Sequence, residues 1–246
     1  MPRFSVILAA AGKSNRFKDD HYKKPFAILN RKAVWLHSAD RFQKRDDVKQ
    51  VIIVIAKADQ EDFMSKFGAN VAVLGIDVVI GGVERCDSVA NALKKVDSSS
   101  DYVAIHDAAR PCVSDDDIES VFNAAVKNRA AILATPVTST LKKSADGKTI
   151  TNTQDRSHLW QAQTPQVFEK DLLIDAYSNI GDFKPTDDAQ LMEEKGHPVA
   201  IINGSPLNIK ITTKRDLRMA VACLEAMPKP RFDAPTHPFA DDNLWR

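Results

Sequence analysis

Residues 4–24, FSVILAAAGKSNRFKDDHYKK, decide how this chain is built. Phe4 to Leu8 reads as a strand buried in a parallel sheet, and Ala9, Ala10, Ala11 and Gly12 leave the backbone bare where that strand ends. Bare backbone admits a polyanion to main-chain N–H groups, and the positive charges of Arg16 and Lys24, four and twelve residues beyond Gly12, can close round it. Two familiar phosphate loops are excluded. A GxGxxG fingerprint fails because Gly12 is the only glycine before Gly68, and no GxxxxGK[ST] is present. Taken alone, the segment reads equally well as a tight strand exit with solvated basic residues, so the rest of the chain has to decide.

Working outward, the pattern repeats. Val34 to Arg45 is a helix, and Val48 to Ala56 is the strongest strand, with five consecutive β-branched residues from Val51. A short helix over Asp59 to Phe67 and a strand over Val78 to Ile80 follow. Strand, helix, strand, helix is the rhythm of an α/β fold with a parallel sheet. Two further strand exits carry chemistry. Gly81-Gly82 leaves the third strand and runs through Glu84, Arg85 and Asp87 into a helix from Ser88 to Val96; the alternative is a plain turn with Asp87 as the helix cap. Tyr102 to His106 runs into Asp107-Ala108-Ala109-Arg110, which supplies one hard oxygen ligand for a divalent cation and one planar cation for phosphate. Ligands on open parallel sheets collect at the carboxyl ends of strands, so these loops are expected to face one pocket. His106 reads as a packing residue, with no second His or Cys at ligand spacing.

Ser114 caps an acidic first turn, Asp115 to Asp117, ahead of a helix from Ile118 to Asn128, and Ala130 to Pro136 is another strand. From Val137 to Trp160 the pattern changes to a polar hairpin with Asp146-Gly147-Lys148 at its turn: an arm short of core residues, suited to reaching another subunit. Helices over Asp171 to Asn179, Ala189 to Lys195 and Lys214 to Met227 are separated by strands over Val199 to Ile202 and Asn208 to Thr212. In the last of these, alternation turns Lys210 away from Ile209 and Ile211, towards solvent or a polar cleft. Residues 1–227 read as one main domain. Residues 228–246, with four prolines in nineteen residues and no periodicity, read as an extended tail.

Composition narrows the partners. With 34 basic against 33 acidic residues the net charge is +1, so nothing global favours nucleic acid or membrane, and an anion site has to be local. Cys86, Cys112 and Cys223 are scattered and odd in number, against both a disulfide framework and a zinc site, and fit a reducing, cytoplasmic setting. No apolar run approaches the roughly 18 residues of a membrane span.

Seven segments in register, LAAAGKSNRF, KKPF, GGVERCDSV, HDAARP, DRSHLWQAQTPQVF, TDD and NIKIT, resemble the 2-C-methyl-D-erythritol 4-phosphate cytidylyltransferases of the non-mevalonate isoprenoid pathway, over residues 4–226. The resemblance implies a Rossmann-like nucleotidyltransferase fold with a mainly parallel central sheet and a protruding β-arm, a homodimer built through that arm, and Mg²⁺-dependent transfer of CMP from CTP to the phosphorylated polyol. It also implies roles. Arg16, Lys24, Arg156 and Lys210 would be the catalytic cations. Ala10, Ala11 and Gly12 would line the nucleotide, Gly82 and Ser88 would read the base with Arg85 supporting their loop, and Asp107 would stand beside the α-phosphate and metal. Arg110, Thr140, Thr164 and Thr186 would meet the acceptor, Thr140 and Arg156 serving the neighbouring subunit's site. The sister enzyme acting on ribitol 5-phosphate has nearly the same motifs and is the alternative. Two positions depart from the family: Ser14 replaces a glycine common two residues after Gly12, and Leu207 stands where some members carry an acid.

Overall fold

The computed structural model describes residues 1–12 and 24–228. Its centre is a seven-stranded sheet. In chain order the strands are β1 (Phe4–Ala9), β4 (Val48–Ile55), β5 (Asp77–Ile80), β6 (Tyr102–Asp107), β7 (Ala130–Pro136), β10 (Trp160–Glu169) and β11 (Ala200–Asn203), after a small hairpin of β2 (Ile28–Leu29) and β3 (Lys32–Ala33) and an arm of β8 (Leu141–Lys143) and β9 (Asn152–Gln154). The sheet order is β11-β7-β10-β6-β1-β4-β5. All neighbours are parallel except β10, which runs antiparallel to both β6 and β7.

The central strands are apolar throughout because both faces are covered. Val51, Ile53 and Ile55 of β4 point into a cluster with Val6, Leu8, Phe42, Phe63 and Phe122, under α1 (Val34–Gln43), α2 (Gln60–Leu74) and α4 (Asp115–Asn128). Ile7, Ile52 and Val54 point the other way, against Val89, Leu173 and Met192 of α3 (Arg85–Leu93), α5 (Lys170–Ser178) and α6 (Asp188–Glu194). A third cluster joins Leu29, Cys112 and Ile211 to Ala220 of α7 (Lys214–Ala226). The Ser114 cap is present: its hydroxyl accepts from Asp117 N at 3.0 Å while the Asp117 carboxylate accepts from Ser114 N at 3.4 Å. The arm stands as a separate two-stranded sheet, exposed along most of its length, with Gly147 at φ 69° in its turn.

Three sequence expectations are corrected, and one run to which no element was assigned forms a strand. Helix α2 does not stop at Phe67 but runs through Gly68 to Leu74, where Gly75 at φ 58° closes it in the left-handed region. Helix α3 starts at Arg85, ahead of Ser88, because Glu84 N is bonded to the Asp87 carboxylate at 3.0 Å, and it ends at Leu93. The run beyond the arm is a ten-residue strand in the middle of the sheet, β10, which absorbs Pro165 by shifting register between Ala162 and Gln166. Asn208 to Thr212 is no strand: its backbone bonds go to the Ala109–Arg110 loop, Ile211 N to Ala109 O at 2.8 Å and Arg110 Nη1 to Asn208 O at 2.8 Å. The 229–246 part of the tail lies outside the described residues.

Gly68 within α2 and Gly75 just beyond its end should respond oppositely to alanine. A Cβ on Gly68 meets only Met64 Cε at 3.7 Å, so Gly68→Ala should stabilise by about 0.5–1 kcal/mol. Gly75→Ala puts an L side chain at φ 58° and should destabilise by about 1 kcal/mol or more. Urea midpoints of the two variants check both signs.

Candidate active site

The carboxyl ends of β1, β5 and β6 open on a cavity of about 320 Å³ lined by Ala9 to Gly12, Pro25, Gly82 to Arg85, Ser88, Asp107, Ala109 and Lys210. Register explains the convergence: Ala9 lies opposite Asp107 on one side and Val54 on the other. Ala10 N continues the ladder to Val54 O at 2.9 Å, so this residue offers the cavity surface and not a donor. The first loop and the glycine pair touch directly. A Cβ on Gly81 would lie 2.6 Å from Ser88 Oγ and 2.7 Å from Ala11 Cβ, and one on Gly82 would collide with Asp87 Cβ. Ser88 holds this turn, accepting from Gly82 N at 3.1 Å and donating to Glu84 O at 3.0 Å.

Asp107, only 8% exposed, is the centre of charge. Its Oδ2 accepts from Lys210 Nζ at 2.7 Å and from Arg110 Nε at 3.4 Å. Burial alone would raise its pKa, but Lys210, Arg85 and Arg110 outweigh burial and hold the carboxyl well below the usual range. Its backbone N–H is bonded to Thr164 Oγ1 at 3.0 Å, and the same hydroxyl meets His106 Nδ1 at 3.1 Å. His106 Nε2 faces Arg110 O at 3.1 Å, a pure acceptor, so Nε2 carries the proton and Thr164 donates to Nδ1. His106 is therefore a packed neutral imidazole, lying against the Phe42 ring, with burial bringing its pKa down to about 4.

A second cavity adjoins the first, sharing Arg85, Asp107 and Lys210 and adding Arg110, Gln163, Thr164, Gln166, Thr186 and Asp187. Of the residues expected to meet the acceptor, Arg110, Thr164 and Thr186 lie here. The Thr186 hydroxyl donates to Gln190 Oε1 at 3.0 Å. Thr140 and Arg156 do not: both are exposed on the arm, line neither cavity of their own chain, and Arg156 Nη1 bonds Thr138 O. Arg16 and the Lys24 side chain lie outside the described residues; Pro25, next to Lys24, borders the first cavity.

The sequence reading missed a buried hub. Asp188, fully buried, accepts from Arg85 Nη2 at 2.6 Å and Tyr177 OH at 2.5 Å. Burial opposes the charge on Arg85, yet Asp188 and Asp107 raise its pKa overall. Gln166 on β10 completes the hub, its Oε1 accepting from Asp188 N and Ala189 N at 3.0 Å each and its Nε2 donating to Asp187 at 2.8 Å. The hub thus ties the Gly82–Arg85 loop to the loop that carries Thr186. The TDD segment stands among the family-like motifs with a role only for Thr186, and nothing in it points to Arg85.

Bare backbone, a tight glycine turn at the cavity wall, and cations around a buried carboxylate suit a nucleoside polyphosphate beside a second anion, and on this fold they define a nucleotidyltransferase. The comparisons agree. The family model IspD, 2-C-methyl-D-erythritol 4-phosphate cytidylyltransferase, matches residues 4–226. Relatives of that name from Rhodopirellula baltica and Alkaliphilus oremlandii are 41% and 40% identical, the alignments covering 89% and 90% of this chain and 94% of each relative. Among solved structures, the cytidylyltransferase of that name from Thermus thermophilus superposes with a TM-score of 0.75 at 28% identity, covering 92% of this chain and 100% of the other. The 4-diphosphocytidyl-2C-methyl-D-erythritol synthase of Anaerococcus prevotii gives 0.74 at 31%, covering 91% and 96%. The chain belongs to the 2-C-methyl-D-erythritol 4-phosphate cytidylyltransferase family.

Two stability predictions follow from the buried groups. Removing the carboxylate in Asp188→Ala strands Arg85 and should cost about 3–5 kcal/mol, against about 1 kcal/mol for Tyr177→Phe, which loses one hydrogen bond. Equal losses in urea unfolding would mean that Asp188 is merely packed. For His106 the folded pKa lies below the unfolded value, so the unfolded chain takes the proton first and stability falls as pH drops from 6.5 towards about 4. The loss attributable to this group should be about 2 kcal/mol between about pH 7.5 and about pH 5. Urea unfolding of His106→Gln should show a correspondingly flatter slope; an unchanged slope would remove His106 as the cause.

Proposed function

We propose that this chain transfers CMP from CTP to 2-C-methyl-D-erythritol 4-phosphate, giving 4-diphosphocytidyl-2-C-methyl-D-erythritol and pyrophosphate. The observation that carries the reading is that residues as far apart as Ala10 and Lys210 surround one cavity, with the acceptor-side residues Arg110, Thr164 and Thr186 in the cavity beside it. The family membership supplies the substrates.

In this reading the nucleotide lies along Ala10, Ala11 and Gly12, with its base against the Gly82–Ser88 turn, whose shape the Arg85–Asp188 pair maintains. The acceptor phosphate lies near Arg110 and Lys210, with Thr164 and Thr186 bordering the polyol. A phosphate monoester oxygen attacks the α-phosphorus in line, and the bond to the bridging oxygen of the pyrophosphate breaks. No covalent enzyme intermediate is needed, so the protein's task is to hold two anions together and offset their repulsion. Lys210 is suited to this because Asp107 fixes its ammonium at the junction of the two cavities. Arg16 and Lys24 from the opening loop, and Arg156 and Thr140 from the arm of a second copy, complete the set; the homodimer is proposed because those arm residues line neither of the two cavities of their own chain.

Asp107 is also the proposed protein ligand for Mg²⁺. Its carboxylate is a hard oxygen donor in the lining of both cavities, suited to an ion whose other ligands are substrate phosphates. When bound, the ion would offset charge on the triphosphate. A cytoplasmic setting belongs to the same reading, supported by three free cysteines; no described helix is long and apolar enough to cross a membrane.

Pyrophosphate release from CTP tests the reading, with 2-C-methyl-D-erythritol 4-phosphate and ribitol 5-phosphate compared as acceptors. Turnover on the first should greatly exceed that on the second; equal or reversed rates would overturn the acceptor assignment. Lys24→Ala and Lys210→Ala should each lower turnover by about 10²–10³ with the melting transition intact. Near-normal rates in folded variants would refute their roles.

A further inference from the structure

Residues 204–212 carry Lys210 but belong to no helix or strand, so no ladder of backbone bonds fixes that cation in register. Backbone bonds hold the segment at its two ends, Gly204 N to Ala134 O at 2.9 Å and Ile211 N to Ala109 O at 2.8 Å. Between them the anchors from β10 are two buried amides. Gln163, 7% exposed, donates Nε2 to Ser205 O at 3.0 Å. Asn208, fully buried, donates Nδ2 to Thr164 O at 2.9 Å and to Gln163 Oε1 at 3.3 Å.

The pair is self-orienting. Ser205 O can only accept, so the Gln163 amide must turn its nitrogen there and its oxygen towards Asn208. Two acceptors, Gln163 Oε1 and Thr164 O, then fix the Asn208 amide with its nitrogen towards β10. Gly204 makes room, since a Cβ there would stand 2.5 Å from Gln163 Oε1. Asn208 is two residues from Lys210, and Thr164, which receives its bond, also holds the Asp107 backbone.

We infer that the Gln163–Asn208 amide pair is the positioning device for Lys210, clamping the irregular segment to β10 so that the ammonium stays at the junction of the two cavities. Neither amide has to touch a reacting group. The inference rests on the proposed role of Lys210. It accounts for two buried polar side chains that the proposed mechanism leaves unused.

The test is a double-mutant cycle by pyrophosphate release from CTP and 2-C-methyl-D-erythritol 4-phosphate, with Asn208→Ala, Lys210→Ala and both together. Truncating Asn208 keeps the main-chain carbonyl that Arg110 uses, so the effect should run through Lys210. Asn208→Ala should lower kcat by about 10–100-fold with little change in the KM for CTP, and should add almost nothing once Lys210 is alanine. Gln163→Glu, which keeps the acceptor for Asn208 and loses the donor to Ser205, should show the same non-additivity and serves if Asn208→Ala does not fold. Multiplying losses in the doubles, or unaltered kcat in the single variants, would overturn the inference. Near-normal turnover of Lys210→Ala alone would instead overturn the role of Lys210 and this inference with it.

Discussion

Everything at the carboxyl edge of this sheet depends on a carboxylate kept ionised where burial alone would neutralise it. Asp107 ends a central strand, and its charge persists because Lys210, Arg85 and Arg110 surround it. The dependence is mutual. Without that anion, cations from three different elements would repel one another in a confined space; with it, they hold fixed positions that a phosphate can exploit without reorganisation. The carboxylate is thus an organiser first, and an ion ligand only in the proposed mechanism.

The scaffold serves this arrangement through β10. A parallel sheet built from β1, β4, β5 and β6 can bring strand ends together, but its crossovers give no direct access from the far side of the cleft. The antiparallel strand beside β6 supplies it. Thr164 fixes the Asp107 backbone and the His106 tautomer, Gln166 holds the start of α6, and Gln163 holds Ser205. The register shift around Pro165 turns these side chains out of ordinary alternation, which is the usual use of such an irregularity beside a site.

What was legible in the sequence follows from this division. Strands β1, β4 and β6 announce themselves because burial on both faces makes them apolar without interruption, and the polar loops at their ends point to the cavity. The Ser114 cap is local and was readable for that reason. Strand β10 was not, because a proline inside a run argues against a central strand when the bulge that tolerates it cannot be seen. Helix α2 outran its expected end at Phe67 because packing of Phe63 and Phe67 on Phe26 and Trp35 carries it through Gly68, a residue that disfavours helix. Asn208 to Thr212 has the alternation of a strand but no partner strand. The Asp188 hub joins positions 103 apart in sequence, and nothing in either neighbourhood advertises the pairing.

Charge arithmetic explains why the sheet alone cannot be the whole site. The charged residues lining the two adjoining cavities are Arg85, Arg110 and Lys210 against Glu84, Asp107 and Asp187, three cations and three acids, which sum to zero. Among the described residues the cleft is thus neutral, and it does not by itself offset a triphosphate facing a phosphate monoester. The surplus lies in two segments that the sheet does not carry. Residues 13–24 hold five Lys or Arg against two Asp, a balance of +3, and residues 137–160 hold four against two, a balance of +2. On the proposed mechanism, the opening segment and a second copy's arm supply the positive charge that the cleft of one chain lacks. Cations placed where the two anions meet favour the transition state, in which that repulsion is greatest.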